Sequence, residues 1–383
     1  MHPLTVLPFR VIDTTAQLQE AATALEAEKT VAVDLEADSM YHFKEKVCLI
    51  QLSAGQDVMI IDPLAIPDLS PLKPVFANPD IRKILHGADY DIRSLYRDFH
   101  IKINHLFDTQ LASRFLGAAE TGLDAVLASR FGVLLEKKYQ KKDWSARPLP
   151  PEMLAYAARD VFYLISLAEF LEEELRQKDR MFWVEEENRI LSRVRPNSIR
   201  QAPLYLNFKG AGRLSPQELE ILESLLQFRQ TVAAKKDRPL FKVMGNTTLL
   251  EIVKNRPQTV QDLEKIQPLS AKQIDMYGRD LVEVVTTALA VPKENLPRYP
   301  RQSAPMLRPA ALRRLEALKD WRETTAAQLE LDPALVCSKG LMGVLARANP
   351  RTPRDLGNIK EIKNWQKKVF GKEIIAALKG TGK

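Results

Sequence analysis

Apolar and polar positions alternate along the first third of the chain in short runs that end in turn residues, so the start is β-rich. TVAVDLEA, rich in valine and alternating at its end, predicts a strand; VCLIQLSA, DVMIID and KILHGA predict further strands of the same sheet. The period then lengthens. DIRSLYRDFH predicts a helix directly after KILHGA, PPEMLAYAARDVFYLISLAEFLEEEL predicts one long helix opened by prolines, and segments through about residue 190 read as helical. Periodicity lapses from Arg195 to Gly212, RPNSIRQAPLYLNFKGAG, where a connector is expected. RLSPQELEILESLLQFRQ restarts a helix with Ser215 as N-cap and Pro216 in its first position.

The remainder repeats itself. Phe228-Arg229 matches Trp321-Arg322, Ala233-Ala234 matches Ala326-Ala327, Thr259 matches Thr352, Asp262-Leu263 matches Asp355-Leu356, and Tyr277-Gly278 matches Phe370-Gly371, all offset by 93. Two copies of one helical module follow, joined by the Pro-rich VPKENLPRYPRQSAPMLRP as a semi-rigid linker. Phe228, Trp321, Tyr277 and Phe370 sit in helical patterns and are expected in the cores of these modules.

Against this apolar patterning a few polar residues stand out: Asp34 and Glu36 in VAVDLEADSM, Asp91 in ILHGADYDIRSL, and Tyr156 with Asp160 in LAYAARDVF. An uncompensated carboxylate in an apolar segment is costly to keep ionised, so something cationic should hold them. Strand alternation puts Asp34 and Glu36 on one face, and the four-residue helical step puts Tyr156 and Asp160 one turn apart on another. Asp91 follows a strand at the start of a helix, where α/β folds carry chemistry. Clustered carboxylates without cysteine or paired histidine ligands suit a hard cation, Mg²⁺ or Mn²⁺, rather than zinc, and phosphodiester hydrolysis is the natural reaction. His86 at a strand end reads as a hydrogen-bonded structural residue. Asp89 and Asp108 read as helix N-caps, and Asp38, Asp108 and Asp143 as candidates for supporting roles around the site.

Those residues resemble a known family. DLE, HGADYD and YAARD, in that order, resemble the three exonuclease motifs of the DEDD superfamily, in the subclass with YxxxD in its third motif. VCLIQLS, FDTQLASRFLG and KKYQKKDWSARPL resemble the ribonuclease D family in particular, and the two C-terminal modules resemble HRDC domains, which are often nucleic-acid binding modules. The resemblance implies an α/β ribonuclease H-like exonuclease domain over residues 1–200, followed by two small all-α helical bundles, HRDC domains at 213–293 and 304–383. It further implies catalysis with two divalent metal ions. Asp34, Glu36 and Asp160 would bind the ion that activates water, with Asp34 bridging to the second ion and Asp91 supporting that one. Tyr156 would orient the water. HGADYD offers two aspartates, and the family register favours Asp91. The implied reaction is 3′ to 5′ hydrolysis of RNA to nucleoside 5′-monophosphates, with tRNA precursors or other structured RNA 3′ ends as substrates. A 3′ to 5′ DNA exonuclease, with single-stranded DNA as partner, and a non-catalytic RNA-binding scaffold are the alternatives. The family default is a monomer.

Charge and composition refine this picture. Residues 1–200 hold 25 Lys and Arg against 30 Asp and Glu, whereas residues 201–383 hold 31 against 19, so the second half should meet the polyanion. The candidate contacts are Lys235, Lys236, Arg238 and Lys242 in the first copy and Lys360, Lys363, Lys367, Lys368 and Lys372 in the second, with Lys137, Lys138, Lys141 and Lys142 around Tyr139 as a further set. Cys48 and Cys337 fall in different expected domains, which argues against a disulfide framework or a zinc site. No segment approaches the length of a membrane span and the N-terminus lacks an export pattern, so a cytoplasmic protein without membrane contact is expected.

Overall fold

The computed structural model describes residues 7–196, 202–266, 269–300 and 308–380; parts of the expected connector and linker, residues 197–201 and 301–307, lie outside the described residues. The α/β part is one six-stranded mixed sheet in the order β1-β4-β3-β2-β5-β6, with strands β1 Arg10–Ile12, β2 Thr30–Ala37, β3 Val47–Ala54, β4 Asp57–Ile61, β5 Arg82–Leu85 and β6 Leu106–Asp108. β3 runs antiparallel to β2 and β4, while β1–β4, β2–β5 and β5–β6 are parallel pairs. β6 escapes a pattern reading because three residues are too few to show alternation.

Eight helices clothe this sheet: α1 Thr15–Glu26, α2 Leu72–Ala77, α3 Asp89–Phe99, α4 Thr109–Phe115, α5 Leu123–Phe131, α6 Pro151–Phe162, α7 Leu164–Gln177 and α8 Met181–Leu191. One face buries Val31, Val33 and Ile50 with α1, α2 and α3. The other buries Ala32, Ile60 and Ile84 with α4, α6 and α7. Asp34 and Glu36 share the face of Ala32, by alternation along β2.

The long helix expected from the prolines onward is broken at Tyr163, which ends α6 and begins α7 with φ −90° and ψ −7°. Val161, Phe162 and Tyr163 are β-branched or aromatic and hold a helix weakly. The rings of Phe162 and Tyr163 pack edge to face at 5.0 Å. The break lets α6 lie across β2, β3 and β4 while α7 lies over β2 and β5.

The two repeats form five-helix bundles of matching layout. The first comprises α9 Pro216–Lys236, α10 Leu240–Val243, α11 Asn246–Asn255, α12 Val260–Ile266 and α13 Ala271–Leu289. The second comprises α14 Pro309–Leu329, α15 Pro333–Val336, α16 Lys339–Ala348, α17 Pro353–Gly357 and α18 Asn364–Lys379. Ser215 caps α9 in a capping box with Glu218, with Pro216 at the first position. Tyr277 and Phe370 are buried in their bundles, whereas Phe228 and Trp321 are half-buried at the core edge.

The chain divides into two compact units. The first contains the sheet, its helices and the second bundle, whose core is continuous with that of the α/β part. Trp365 of α18 stacks on Trp183 of α8 with ring centroids 4.7 Å apart and planes 14° apart, and its indole N–H donates to Glu187 at 2.9 Å. Glu186 accepts the backbone N–H of Asn364 and of Trp365 at 2.9 and 2.8 Å, closing the exposed start of α18 with a carboxylate. The Arg180 guanidinium bonds the Phe115 and Leu329 carbonyls, both at 2.8 Å. The second unit holds the first bundle and the β2–β3 connection, residues 38–46, whose Phe43 packs against the core of that bundle.

Trp365→Ala removes a stacked ring and a buried donor together, and is expected to destabilise the first unit by about 3–5 kcal/mol. Denaturant unfolding followed by fluorescence measures this, and a loss below about 1 kcal/mol would contradict the shared core.

Candidate active site

Three elements deliver the carboxylates. β2 supplies Asp34 and Glu36, with a register irregularity between Glu36 and Ala37 bending the strand where the second side chain leaves it. α6, opened by Pro151, presents Tyr156 and Asp160 one turn apart on one face. α3 supplies Asp91 from its first turn. Carboxylate oxygens of Asp34, Glu36 and Asp160 lie within 4.8 Å of one another. Asp91 stands outside that trio, buried at 7% exposure, with its charge felt at Glu36.

No lysine, arginine or histidine of the described residues forms an ion pair with any of the four. Burial is the largest influence on each and raises its pKa. Asp34 is pushed up to about 7 by burial, tempered by the Leu35 N–H that it accepts. Asp160 reaches about 8 through burial and the charge of Asp34, against the hydrogen bond from Tyr156. Glu36 rises well above the usual range by burial and then by the charges of Asp34, Asp160 and Asp91. Asp91 rises likewise by burial, Asp34 and Asp108. Burial and the neighbouring carboxylates raise the Tyr156 phenol too, so it stays protonated.

An all-oxygen, multiply anionic donor set without a cation of its own fits a hard divalent ion, and it offers no thiolate or imidazole that would favour zinc. Gln51 strengthens the fit. It pairs with Asp34 across β2 and β3, is fully buried, and neither of its amide atoms has a partner, so it has a donor to offer an ionised Asp34. Pattern reading gave no reason to single it out from the apolar run of VCLIQLSA.

The surrounding residues have defined tasks. Asp108 is buried and does more than cap α4: besides the N–H groups of Gln110 and Leu111, it accepts those of Gly87 and Ala88, both at 2.9 Å, and so fixes the turn that leads to Asp91. Asp89, expected as an N-cap, is instead the first residue of α3, and its carboxylate pairs with Arg93 at 2.7 Å. Ala88 holds the cap position without a side-chain bond. The ring nitrogens of His86 each lie 2.9 Å from an oxygen, Thr109 Oγ1 and the Thr121 carbonyl, and burial lowers its pKa; it is a structural residue. Asp38 closes the β2–β3 connection through the Lys46 N–H, and Asp143 holds Ser145. Beside Tyr156 and Asp160 opens a cleft of about 270 Å³, walled by Leu135, Lys138, Tyr139 and Arg159. The Tyr139 ring packs edge to face on Tyr156 at 5.6 Å.

The raised carboxylate values have a thermodynamic consequence. Their folded-state values lie above the ordinary 3.8, so the cation-free fold takes up protons, and the stability this contributes is lost as pH rises from about 4 through 7 to 8. In EDTA the Tm of the first unit should therefore fall between pH 5 and pH 9, and millimolar Mg²⁺ should restore it most at the alkaline end. Asp34→Asn should raise Tm in EDTA at pH 8.5 by roughly 3–5 °C. A Tm in EDTA that is flat across this range, measured by scanning fluorimetry, would contradict the uncompensated cluster.

Comparison with known proteins agrees with this geometry. A 3'-5' exonuclease family model matches residues 9–176, and an HRDC domain model matches residues 218–285 and 311–378. Ribonuclease D of Gluconacetobacter diazotrophicus is 30% identical over 377 residues, covering 97% of this chain and 93% of that protein. The crystal structure of Escherichia coli RNase D, an exoribonuclease involved in structured RNA processing, superposes with a TM-score of 0.73 at 25% identity, over 97% of this chain and 99% of that one. The catalytic core of RRP6 from Trypanosoma brucei superposes with a TM-score of 0.65 at 30% identity, over 76% and 82%. With an exonuclease domain, two HRDC domains and full-length relatives of this name, the chain belongs to the ribonuclease D family.

Proposed function

We propose that this chain is a metal-dependent 3′ to 5′ exoribonuclease that trims tRNA precursors or other structured RNAs, working as a cytoplasmic monomer. The observation that carries the reading is the convergence of Asp34, Glu36 and Asp160 from two elements onto one point, with no ion pair to a cation among the described residues. In this reading residues 1–200 perform the hydrolysis, and residues 213–293 and 304–383 are the two HRDC modules. Support for the substrate class comes from the ribonuclease D relatives. Cys48 and Cys337 are thiols rather than half-cystines, which suits a reducing compartment, and no helix among the described residues is long and apolar enough to cross a membrane.

Asp34, Glu36, Asp91 and Asp160 would hold two Mg²⁺ or Mn²⁺ ions. When bound, these supply Lewis acidity at the scissile phosphate and offset the charge that develops there. The chain's own residues do the positioning. Tyr156 stays protonated, so its hydroxyl orients the attacking water and does not deprotonate it. The cleft beside Tyr156 and Asp160 takes the terminal nucleotide, with Lys138 and Arg159 on its wall to meet phosphate. Water adds to the terminal phosphorus, the bond to the preceding 3′ oxygen breaks, and a nucleoside 5′-monophosphate leaves with the chain one residue shorter.

The test is a gel assay on 5′-labelled RNA and DNA of one sequence, with Mg²⁺, Mn²⁺ or EDTA. A ladder shortening from the 3′ end of RNA is expected with either metal and not with EDTA. A preference for DNA would replace the ribonuclease reading, and binding without hydrolysis would favour a scaffold. Asp34→Asn and Asp160→Asn should each lower turnover by more than about 100-fold, because each removes a ligand with little change in shape. Tyr156→Phe should lower kcat by about 100-fold while leaving RNA affinity within about 2-fold. Near-normal kcat in either Asp variant, with metal present, would refute the site.

A further inference from the structure

β6 is an edge strand, paired with β5 alone. A side chain stands in for the strand it lacks on its other side: Asn188 of α8 accepts the Asp108 backbone N–H on Oδ1 at 3.2 Å. Asn188 is 2% exposed although it follows three glutamates and precedes an arginine, in EEENR. A buried amide in so polar a stretch calls for a reason.

Covering a sheet edge would be reason enough if Asp108 ended there, but the same residue carries the carboxylate on which the approach to Asp91 depends. That carboxylate accepts the N–H groups of Gly87 and Ala88, both at 2.9 Å. Gly87 lies in the left-handed region with φ 75°, where a Cβ would come 3.0 Å from Oε1 of Gln110, so the turn admits few other conformations. Ala88 occupies the cap position of α3 and has no side chain to bond with, so the start of this helix relies on a carboxylate from another element. Asp91 follows in the first turn of α3, buried.

α8 is a firm support for this arrangement because it is itself held. Trp183 stacks on Trp365, and Glu186 and Glu187 take the N–H groups at the start of α18. Asn188 is the next residue. A continuous bonded path therefore runs from α8 through Asn188 to the end of β6, from the Asp108 carboxylate to the Gly87–Ala88 turn, and from that turn to Asp91.

We propose that Asn188 is a positioning residue for Asp91: by fixing the backbone of Asp108 it aims the Asp108 carboxylate, and so sets where the first turn of α3 places Asp91. The reaction that Asn188 serves is that of the exoribonuclease reading above. Asn188 acts only through Asp108. Asp34, Glu36, Tyr156 and Asp160 come from β2 and α6, which do not lie on this path, and the cleft beside Tyr156 is likewise untouched. The loss on breaking the path should therefore fall on turnover and spare substrate affinity.

The experiment compares Asn188→Leu, Asn188→Ala and Asn188→Asp in the full chain. Leucine and alanine both remove the acceptor, one filling the space and the other adding no bulk. Aspartate keeps an oxygen in the same place, and the cleft that Asn188 lines holds Arg82, Arg189 and Arg193 to balance its charge. In EDTA, amide exchange followed by mass spectrometry should show the Gly87 and Ala88 N–H groups exchanging about 10-fold faster in the leucine and alanine variants, with β2 and α6 at wild-type rates. With Mg²⁺ and 5′-labelled RNA, the same two variants should lose about 10-fold or more in kcat while KM stays within about 2-fold. Asn188→Asp should bring both exchange and kcat back to within about 3-fold of the wild type. Wild-type kcat in the leucine and alanine variants would overturn the proposal. Faster exchange spread evenly over the first unit would overturn it too, as a general loss of stability, and so would an equal loss in Asn188→Asp. If the wild type fails to hydrolyse RNA, the exoribonuclease reading falls, and the exchange rates still decide whether Asn188 holds the turn before Asp91.

Discussion

Four neighbouring carboxylates, Asp91 buried and Asp34, Glu36 and Asp160 half-buried, with no ion pair to any cation of the described residues, are the constraint around which the α/β part of this molecule is arranged. An isolated buried carboxylate already costs several kcal/mol to ionise, and here each one also feels its neighbours. Such a cluster is tolerable because protons can occupy it when no cation does. Its precision therefore has to come from the rigid elements behind it. β2 lies inside the sheet between β3 and β5, α6 spans three strands, and the Asp108 carboxylate clamps the turn before α3 through backbone N–H groups. A set of carboxylates built on such parts is held in register even while its members repel.

The strands and helices that carry the site were legible because they obey simple periods. Alternation put Asp34 beside Glu36 and helical spacing put Tyr156 beside Asp160, and the fold brings the two pairs together. What stayed illegible was long-range. β6 is too short to pattern, and the break at Tyr163 goes with α6 lying over β2, β3 and β4 while α7 lies over β2 and β5. Gln51 reads as one polar interruption in an apolar strand until the pairing with Asp34 is known. Asp108 is recognisable as a cap, but its bonds to Gly87 and Ala88 join segments about 20 residues apart that no local rule connects. Asp89 shows the reverse failure. A local capping rule pointed to it, whereas the turn before α3 is satisfied by Asp108 and leaves Asp89 to pair with Arg93.

The repeat was legible as a repeat, but its use was not. Aromatic and small residues recur at an offset of 93 because both bundles need the same interior, and that recurrence is blind to what each bundle shows outside. The candidate cations of the second bundle illustrate this. Lys363 is drawn into an ion pair with Glu187, Lys368 lies 4.2 Å from the ring centroid of Phe182, and Lys367 reaches the Gly357 carbonyl at 3.4 Å. Two of them serve the joint with α8, so charge in the second half cannot be assigned to the polyanion residue by residue.

Duplication of a module that can fold on its own interior frees one surface in each copy to diverge. A surface that must dock permanently gains from apolar area, and Leu329, Leu331, Leu335 and Trp365 supply it. A surface that must capture and release a sliding polyanion cannot be apolar, since it has to remain soluble when empty and to let go after each step. Lysine and arginine meet both needs: their contacts with phosphate are individually weak and salt-sensitive, and strong only in number.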